Sequence, residues 1–133
     1  MRAEGHGKPL VLIVSGGQEA DCRYVAALLE QGAVPSGQGG RPRLRPDRVI
    51  GDKGYSYRSV RRYLQRRGIG RIIPRRRDQG RHGPFDKEAY RQRNRIERLI
   101  SQLKQWRRVA TRYEKRARNY LAFVTIRASL LWL

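Results

Sequence analysis

Three short apolar runs, rich in β-branched residues, punctuate the sequence: LVLIV at 10–14, RVI just before Gly51 and Asp52, and IGRIIP at 69–74. Each has the length of a short strand, and the first, with no polar alternation, suits a strand buried on both faces. Helical patterns separate them. Asp21 is placed to cap a helix reaching Glu30, with Val25, Leu28 and Leu29 on one side and Gly32 as its stop. Ser56 is placed to cap a second helix with Val60, Tyr63 and Leu64 inward, ending at Gly68. The intervening AVPSGQGGRPRLRP is rich in Gly and Pro and must be a loop. Strand, helix, strand, helix, strand predicts an α/β fold with a largely parallel sheet. Asp52 then sits at the carboxyl end of a strand, where such folds place their chemistry.

Charge decides what such a fold would meet. The chain carries 31 basic against 11 acidic residues, a formal charge of +20 over 133 residues. Of the basic residues, 27 fall between Arg41 and Arg118, so the charge belongs to the body of the protein and not to a tail. With 38% hydrophobic residues a core is affordable, which favours a folded nucleic-acid-binding domain over a disordered basic arm. Arg75, Arg76 and Arg77 read as a phosphate-contacting run or a solvated loop. The lone Cys22 excludes an internal disulfide and a Cys-based zinc site, and points to a reducing cytoplasm. The apolar segment NYLAFVTIRASLLWL is too short for a membrane span and is interrupted by Arg127, so it reads as a buried helix. His6 and His82, in glycine-flanked loops, read as surface residues.

One acid stands out. In YRQRNRIERLISQLK, residues 90–104, Glu97 lies among five basic residues. If residues 85–106 form one helix, advancing about 100° per residue brings Tyr90, Arg93, Glu97 and Lys104 within roughly 60° of one another. That stripe borders an apolar face of Phe85, Ala89, Ile96, Leu99, Ile100, Leu103 and Trp106. A semi-buried carboxylate there could ligate a hard metal ion, or pair with Arg93 one turn earlier for only about 0.3–0.5 kcal/mol. Asp52 likewise has two readings, since D-K-G is also a turn sequence.

Tyr90, Arg93, Glu97 and Lys104 reproduce Y-x2-R-x3-E-x6-K, which resembles the signature around the last catalytic acid of DDE transposases of bacterial insertion sequences. GDKGY around Asp52 resembles the stretch carrying the second catalytic aspartate of that family, with Gly51 where Ala is usual. RRVATRYEK resembles the segment after the glutamate helix, with Glu114 where Asp is common, and SGGQEAD resembles the turn after the third strand. The matches run in order along nearly the whole chain and are most similar to the insertion-sequence-five group, within the IS-four-like superfamily.

The resemblance implies a ribonuclease-H-like fold and metal-dependent DNA cleavage and strand transfer. It implies Asp52 and Glu97 as catalytic, metal-holding acids for Mg²⁺ or Mn²⁺, in a two-metal site expected only in the complete domain. Tyr90, Arg93 and Lys104 would contact DNA, with Lys53, Arg75, Arg76 and Arg77 as further DNA-binding candidates. DNA, as transposon ends and target, is the implied partner, with a homodimer on paired ends. The family has three acids, and the first lies on a strand upstream of the hairpin that MRAEGHGKPLVLIV enters partway. The expectation is therefore an incomplete ribonuclease-H-like fold, its first strand and first aspartate missing. Residues 1–133 would be the C-terminal part of the catalytic domain, inactive alone and poorly stable. Such a piece is either a truncated relic or one product of a split reading frame completed by an upstream polypeptide. The rival reading is a non-catalytic, arginine-rich nucleic-acid-binding protein.

Overall fold

The computed structural model describes residues 1–34, 39–80, 83–111 and 114–133. His82, and Arg112 and Tyr113 of the RRVATRYEK segment, lie outside the described residues. In chain order the elements are β1 (Arg2–Ala3), β2 (Pro9–Val11), α1 (Val25–Leu29), β3 (Arg48–Ile50), α2 (Arg58–Arg66), β4 (Gly70–Ile72), α3 (Lys87–Arg91), α4 (Asn94–Lys104), α5 (Arg107–Thr111) and α6 (Ala117–Leu130). Mixed helix and short strand agrees with the α/β expectation. The strands, however, form two separate two-stranded sheets, β1 with β2 and β3 with β4. The chain divides into two compact units, Ala20–Arg93 and Met1–Glu19 with Asn94–Leu133.

The unit Ala20–Arg93 is built on the parallel pair β3–β4, with Arg48 opposite Gly70 and Ile50 opposite Ile72. Its core joins Val25 and Leu29 of α1, Val60 and Leu64 of α2, and Ile69 and Ile73 flanking β4. Its four helical members are inward positions that helical spacing marks, and Ile69 and Ile73 come from the apolar run around β4. Tyr63 packs at the edge, where its hydroxyl donates to Glu30 Oε1 at 3.1 Å and so ties α2 to the end of α1. The end of α2 is a complete Schellman motif: Gly68 N–H donates to Gln65 O and Ile69 N–H to Leu64 O. Gly68 makes this turn at φ +63°, a conformation that an L side chain resists.

Both expected caps are overturned. Asp21 begins a 3₁₀ turn, Asp21–Tyr24, without capping it, and α1 follows with no side-chain cap. Ser56 does not cap α2 either, because its hydroxyl is buried and bonded elsewhere. The single helix expected over residues 85–106 is also overturned. Asp86 caps α3 by accepting the Ala89 N–H at 2.8 Å, and the ladder fails four residues later. There the amide of Arg93 takes Tyr90 O and that of Gln92 takes Ala89 O, both three residues back, so the α-helical register ends before α4 begins.

In the other unit, β1 and β2 form an antiparallel hairpin, Arg2 opposite Val11, consistent with the hairpin inferred at the start of the chain. Its turn is closed by Glu4, whose carboxylate accepts the backbone amides of His6 and Lys8, each at 2.8 Å. Of the run at 10–14, only Leu10 and Val11 are in the strand. Leu99 and Leu103 of α4, Val109 of α5, and Val124 and Ala128 of α6 make the core, with Leu12 and Trp106 against it. The C-terminal helix is therefore present, but only one stripe of it is buried. Ile126 is 53% exposed, and Leu130 and Trp132 are exposed too. Trp132 is held by its indole N–H donating to Pro9 O at 2.9 Å, with the Lys8 ammonium 5.1 Å from its ring, so it packs rather than stacks. No helix among the described residues is long and apolar enough to cross a membrane.

Candidate functional site

The Asp52 turn follows directly from the sheet. Gly51 N–H donates to Ile72 O and prolongs the β3–β4 ladder by one residue. Asp52 then leaves it in extended conformation, φ −81° and ψ 179°, and caps a short 3₁₀ turn, Lys53–Tyr55. Its Oδ1 accepts the Gly54 N–H at 2.7 Å. A Cβ on Gly54 would come within 2.8 Å of that oxygen, so glycine here is a requirement of the carboxylate's position. Asp52 thus has its turn-forming role, and it also stands exposed at the carboxyl end of a parallel strand.

The turn is clasped to the loop after β4. Ser56 is fully buried; its hydroxyl donates to Gln79 Oε1 at 2.7 Å, and Gln79 Nε2 donates back to Ser56 O at 2.5 Å. Arg61 of α2 reaches the same place, donating from Nη2 to Ser56 Oγ at 2.7 Å and to Ile73 O at 3.0 Å. Burial lowers the pKa of Arg61, and the neighbouring charges of Arg75 and Arg71 lower it further. Arg76 Nε donates to Lys53 O at 3.4 Å while its guanidinium lies 4.1 Å from the Tyr57 ring centre, and Arg75 is fixed through Gly80 O at 2.9 Å. Lys53, Arg75 and Arg76 therefore belong to one cross-linked patch with Asp52, and Arg77 follows them exposed. Gln79 carries no charge or motif that would single it out in the sequence, and Ser56 was legible there only as a helix cap, a role it does not take.

Burial raises Tyr55 to a pKa of about 12, helped by the negative charges of Asp21 and Asp52 and by Cys22. The Tyr55 phenol is a neutral wall behind the Asp52 turn, packed on the core of its unit.

Tyr90 and Arg93 come together, the guanidinium 5.6 Å from the ring, with Phe85 edge-on to Tyr90 at 5.3 Å. Phe85 is exposed, contrary to its expected inward place. Glu97 and Lys104 share α4, seven residues apart and so on about the same face two turns on. The expected semi-buried position of Glu97 is corrected: the side chain is exposed, as is Ile100 beside it, because the buried stripe of α4 narrows to Leu99 and Leu103. Asp52 lies in the unit Ala20–Arg93 and Glu97 in the other.

Among the described residues, no three or more His, Cys, Asp or Glu side chains group so as to hold a metal ion. Glu4, which follows β1, has both carboxylate oxygens committed to its turn. Asp52 and Glu97, exposed carboxylates, are hard oxygen donors and fit Mg²⁺ or Mn²⁺ by chemistry.

The family model described as the transposase DDE domain matches residues 3–132. A protein of Burkholderia cepacia named as a transposase for insertion sequence element IS402 is 32% identical over 130 residues, covering 96% of this chain and 58% of its own length. No solved structure matches. With the family model spanning almost the whole sequence and a 32% identical relative matched over 96% of it, the chain belongs to the transposase DDE domain family.

Proposed function

We propose that this chain contributes Asp52, Glu97 and a cationic surface to a transposase that cuts DNA and joins its strands during movement of an insertion sequence. The observation that carries the reading is the Asp52 turn: a carboxylate at the end of a parallel strand, held by Gly54 N–H and cross-linked to the loop that bears Arg75, Arg76 and Arg77. The parallel β3–β4 pair supports placing the turn in a ribonuclease-H-like sheet.

Asp52 and Glu97 would hold the divalent ions, Mg²⁺ or Mn²⁺, whose chemistry when bound is to activate the attacking oxygen and to stabilise the leaving one. Lys53, Arg75, Arg76 and Arg77 hold backbone phosphates beside Asp52, and Lys104 holds them on the face of Glu97. Arg93, steadied on the Tyr90 ring, offers a planar fork of donors to phosphate oxygens. Two carboxylates are too few for the reaction, so the chain alone performs no strand transfer, and an upstream polypeptide supplies a further acid. A homodimer would bring paired ends together.

The test is cleavage and strand transfer with Mn²⁺ on labelled DNA ends from the chain's own locus, with and without the polypeptide encoded upstream. The expected result is activity only with both, lost in Glu97→Gln. Robust cleavage by the chain alone, abolished in Glu97→Gln, overturns the claim of inactivity. DNA binding with no metal-dependent chemistry in any combination favours the non-catalytic nucleic-acid-binding reading.

A further inference from the structure

Helix α2 carries a feature that the site does not use. Val60 and Leu64 form its inward edge, both buried, and Arg61 turns its guanidinium inward to Ser56 and Ile73. Arg58, Arg62 and Arg66 are spaced four residues apart and all three are exposed. At about 100° per residue they centre on the direction opposite the Val60 and Leu64 edge. They form a ridge of three guanidinium groups along about 12 Å of helix.

Like charges at this spacing oppose helix formation unless an anion lies near them. The sequence provides none locally: between Asp52 and Asp78 there are ten basic residues and no acidic one. Arg43 and Asp47 form an ion pair elsewhere, and among the described residues no carboxylate bonds to Arg58, Arg62 or Arg66. The helix keeps an electrostatic cost that nothing within its own stretch relieves. An external polyanion with regularly spaced charges would relieve it.

We infer that the Arg58, Arg62 and Arg66 ridge of α2 is a second contact surface for the phosphate backbone of duplex DNA, separate from the Asp52 turn. The inference rests on the proposed function, which supplies DNA as the polyanion. A duplex gripped at both places is held at more points than the reacting strand needs, which resists its rotation in the site. Arginine suits the task because each fork can take two phosphate oxygens.

The test compares the full chain with Arg58→Gln/Arg62→Gln/Arg66→Gln, and with a control triple at exposed positions elsewhere in the same unit, Arg23→Gln/Arg41→Gln/Arg48→Gln. Gln is a good helix former and none of the six positions is buried, so both variants should keep the wild-type circular dichroism; the control should keep the melting curve, and the α2 triple should melt no lower and slightly higher, its like-charge cost being removed. Affinity for a random-sequence DNA duplex is measured against salt. If each ridge arginine neutralises one phosphate, the slope of log K against log salt falls by about 2.7 in the α2 triple, at about 0.9 per contact, and hardly changes in the control. The single variant Arg62→Gln, a fall of about 0.9, covers the case in which the triple misfolds. An equal fall in both triples, or an unchanged slope in the α2 triple, overturns the ridge. A fall seen on an RNA duplex but not on DNA overturns it in favour of RNA. A wild-type chain with no salt-dependent DNA binding instead sinks the DNA reading itself, which keeps the two failures apart.

Discussion

Ser56 and Gln79 hold each other through two hydrogen bonds across 23 residues of sequence: the serine hydroxyl donates to Gln79 Oε1, and the glutamine amide donates to the Ser56 carbonyl. This pair ties the turn that carries Asp52 to the loop that carries Arg75, Arg76 and Arg77. On the proposed function, the tie sets the separation of a metal-holding carboxylate from phosphate-binding cations before substrate arrives.

Gln79→Ala leaves the buried polar atoms of Ser56 short of a partner and should destabilise the chain by about 1–3 kcal/mol. Denaturant titration measures that. If Gln79 acts on DNA through the loop, its effect on DNA affinity should shrink in an Arg76→Ala background, and the double-mutant cycle reads the coupling.

Asp52→Asn and Glu97→Gln replace exposed side chains, so each should change stability by no more than about 0.5 kcal/mol. In the reaction reconstituted with the upstream polypeptide, each should bring strand transfer to background. Melting curves and strand-transfer assays on the same preparations check both halves. Loss of folding in either variant would assign the carboxylate a structural role instead.

Tyr55 holds its proton more tightly when folded, with a pKa of about 12 against the ordinary tyrosine value near 10. The unfolded chain therefore loses that proton first as pH rises, and folding stability falls through the interval from about pH 10 to about 12. Below that interval the contribution is complete. Absorbance titration of the phenolate, beside melts at rising pH, should show this. Asp52→Asn should lower the Tyr55 titration, because the Asp52 charge is one of its causes.

Gly68→Ala tests the end of α2. A Cβ there would meet only Arg45 Nη1, at 3.5 Å, so space is not the obstacle. The cost is the backbone at φ +63°, about 1–2 kcal/mol, readable as a lower denaturation midpoint.

The sequence by itself determined the inward faces of α1 and α2, since Val25, Leu28, Leu29, Val60 and Leu64 are set by helical spacing and all are buried. It placed β3 and β4 and put Asp52 at a strand end, because a short β-branched run that stops at glycine and aspartate has few other conformations. The motif around Glu97 was legible only as a family resemblance, four residues at fixed spacing, since spacing alone left an ordinary helix pair with Arg93 open.

What tertiary structure decided were matters of competition. Ser56 had the chemistry of a cap, but Gln79 and Arg61, brought in by the fold, took its hydroxyl and left α2 uncapped. Residues 85–106 had the periodicity of one helix, but the amides of Gln92 and Arg93 bond three residues back and divide it. The C-terminal helix had apolar residues enough for burial, yet only Val124 and Ala128 found full cover. Periodicity depends on bonds between near neighbours and is written locally. Which of several partners a polar group takes, and which apolar face finds a surface to cover it, depends on groups far away in the chain, and only the folded arrangement settles that.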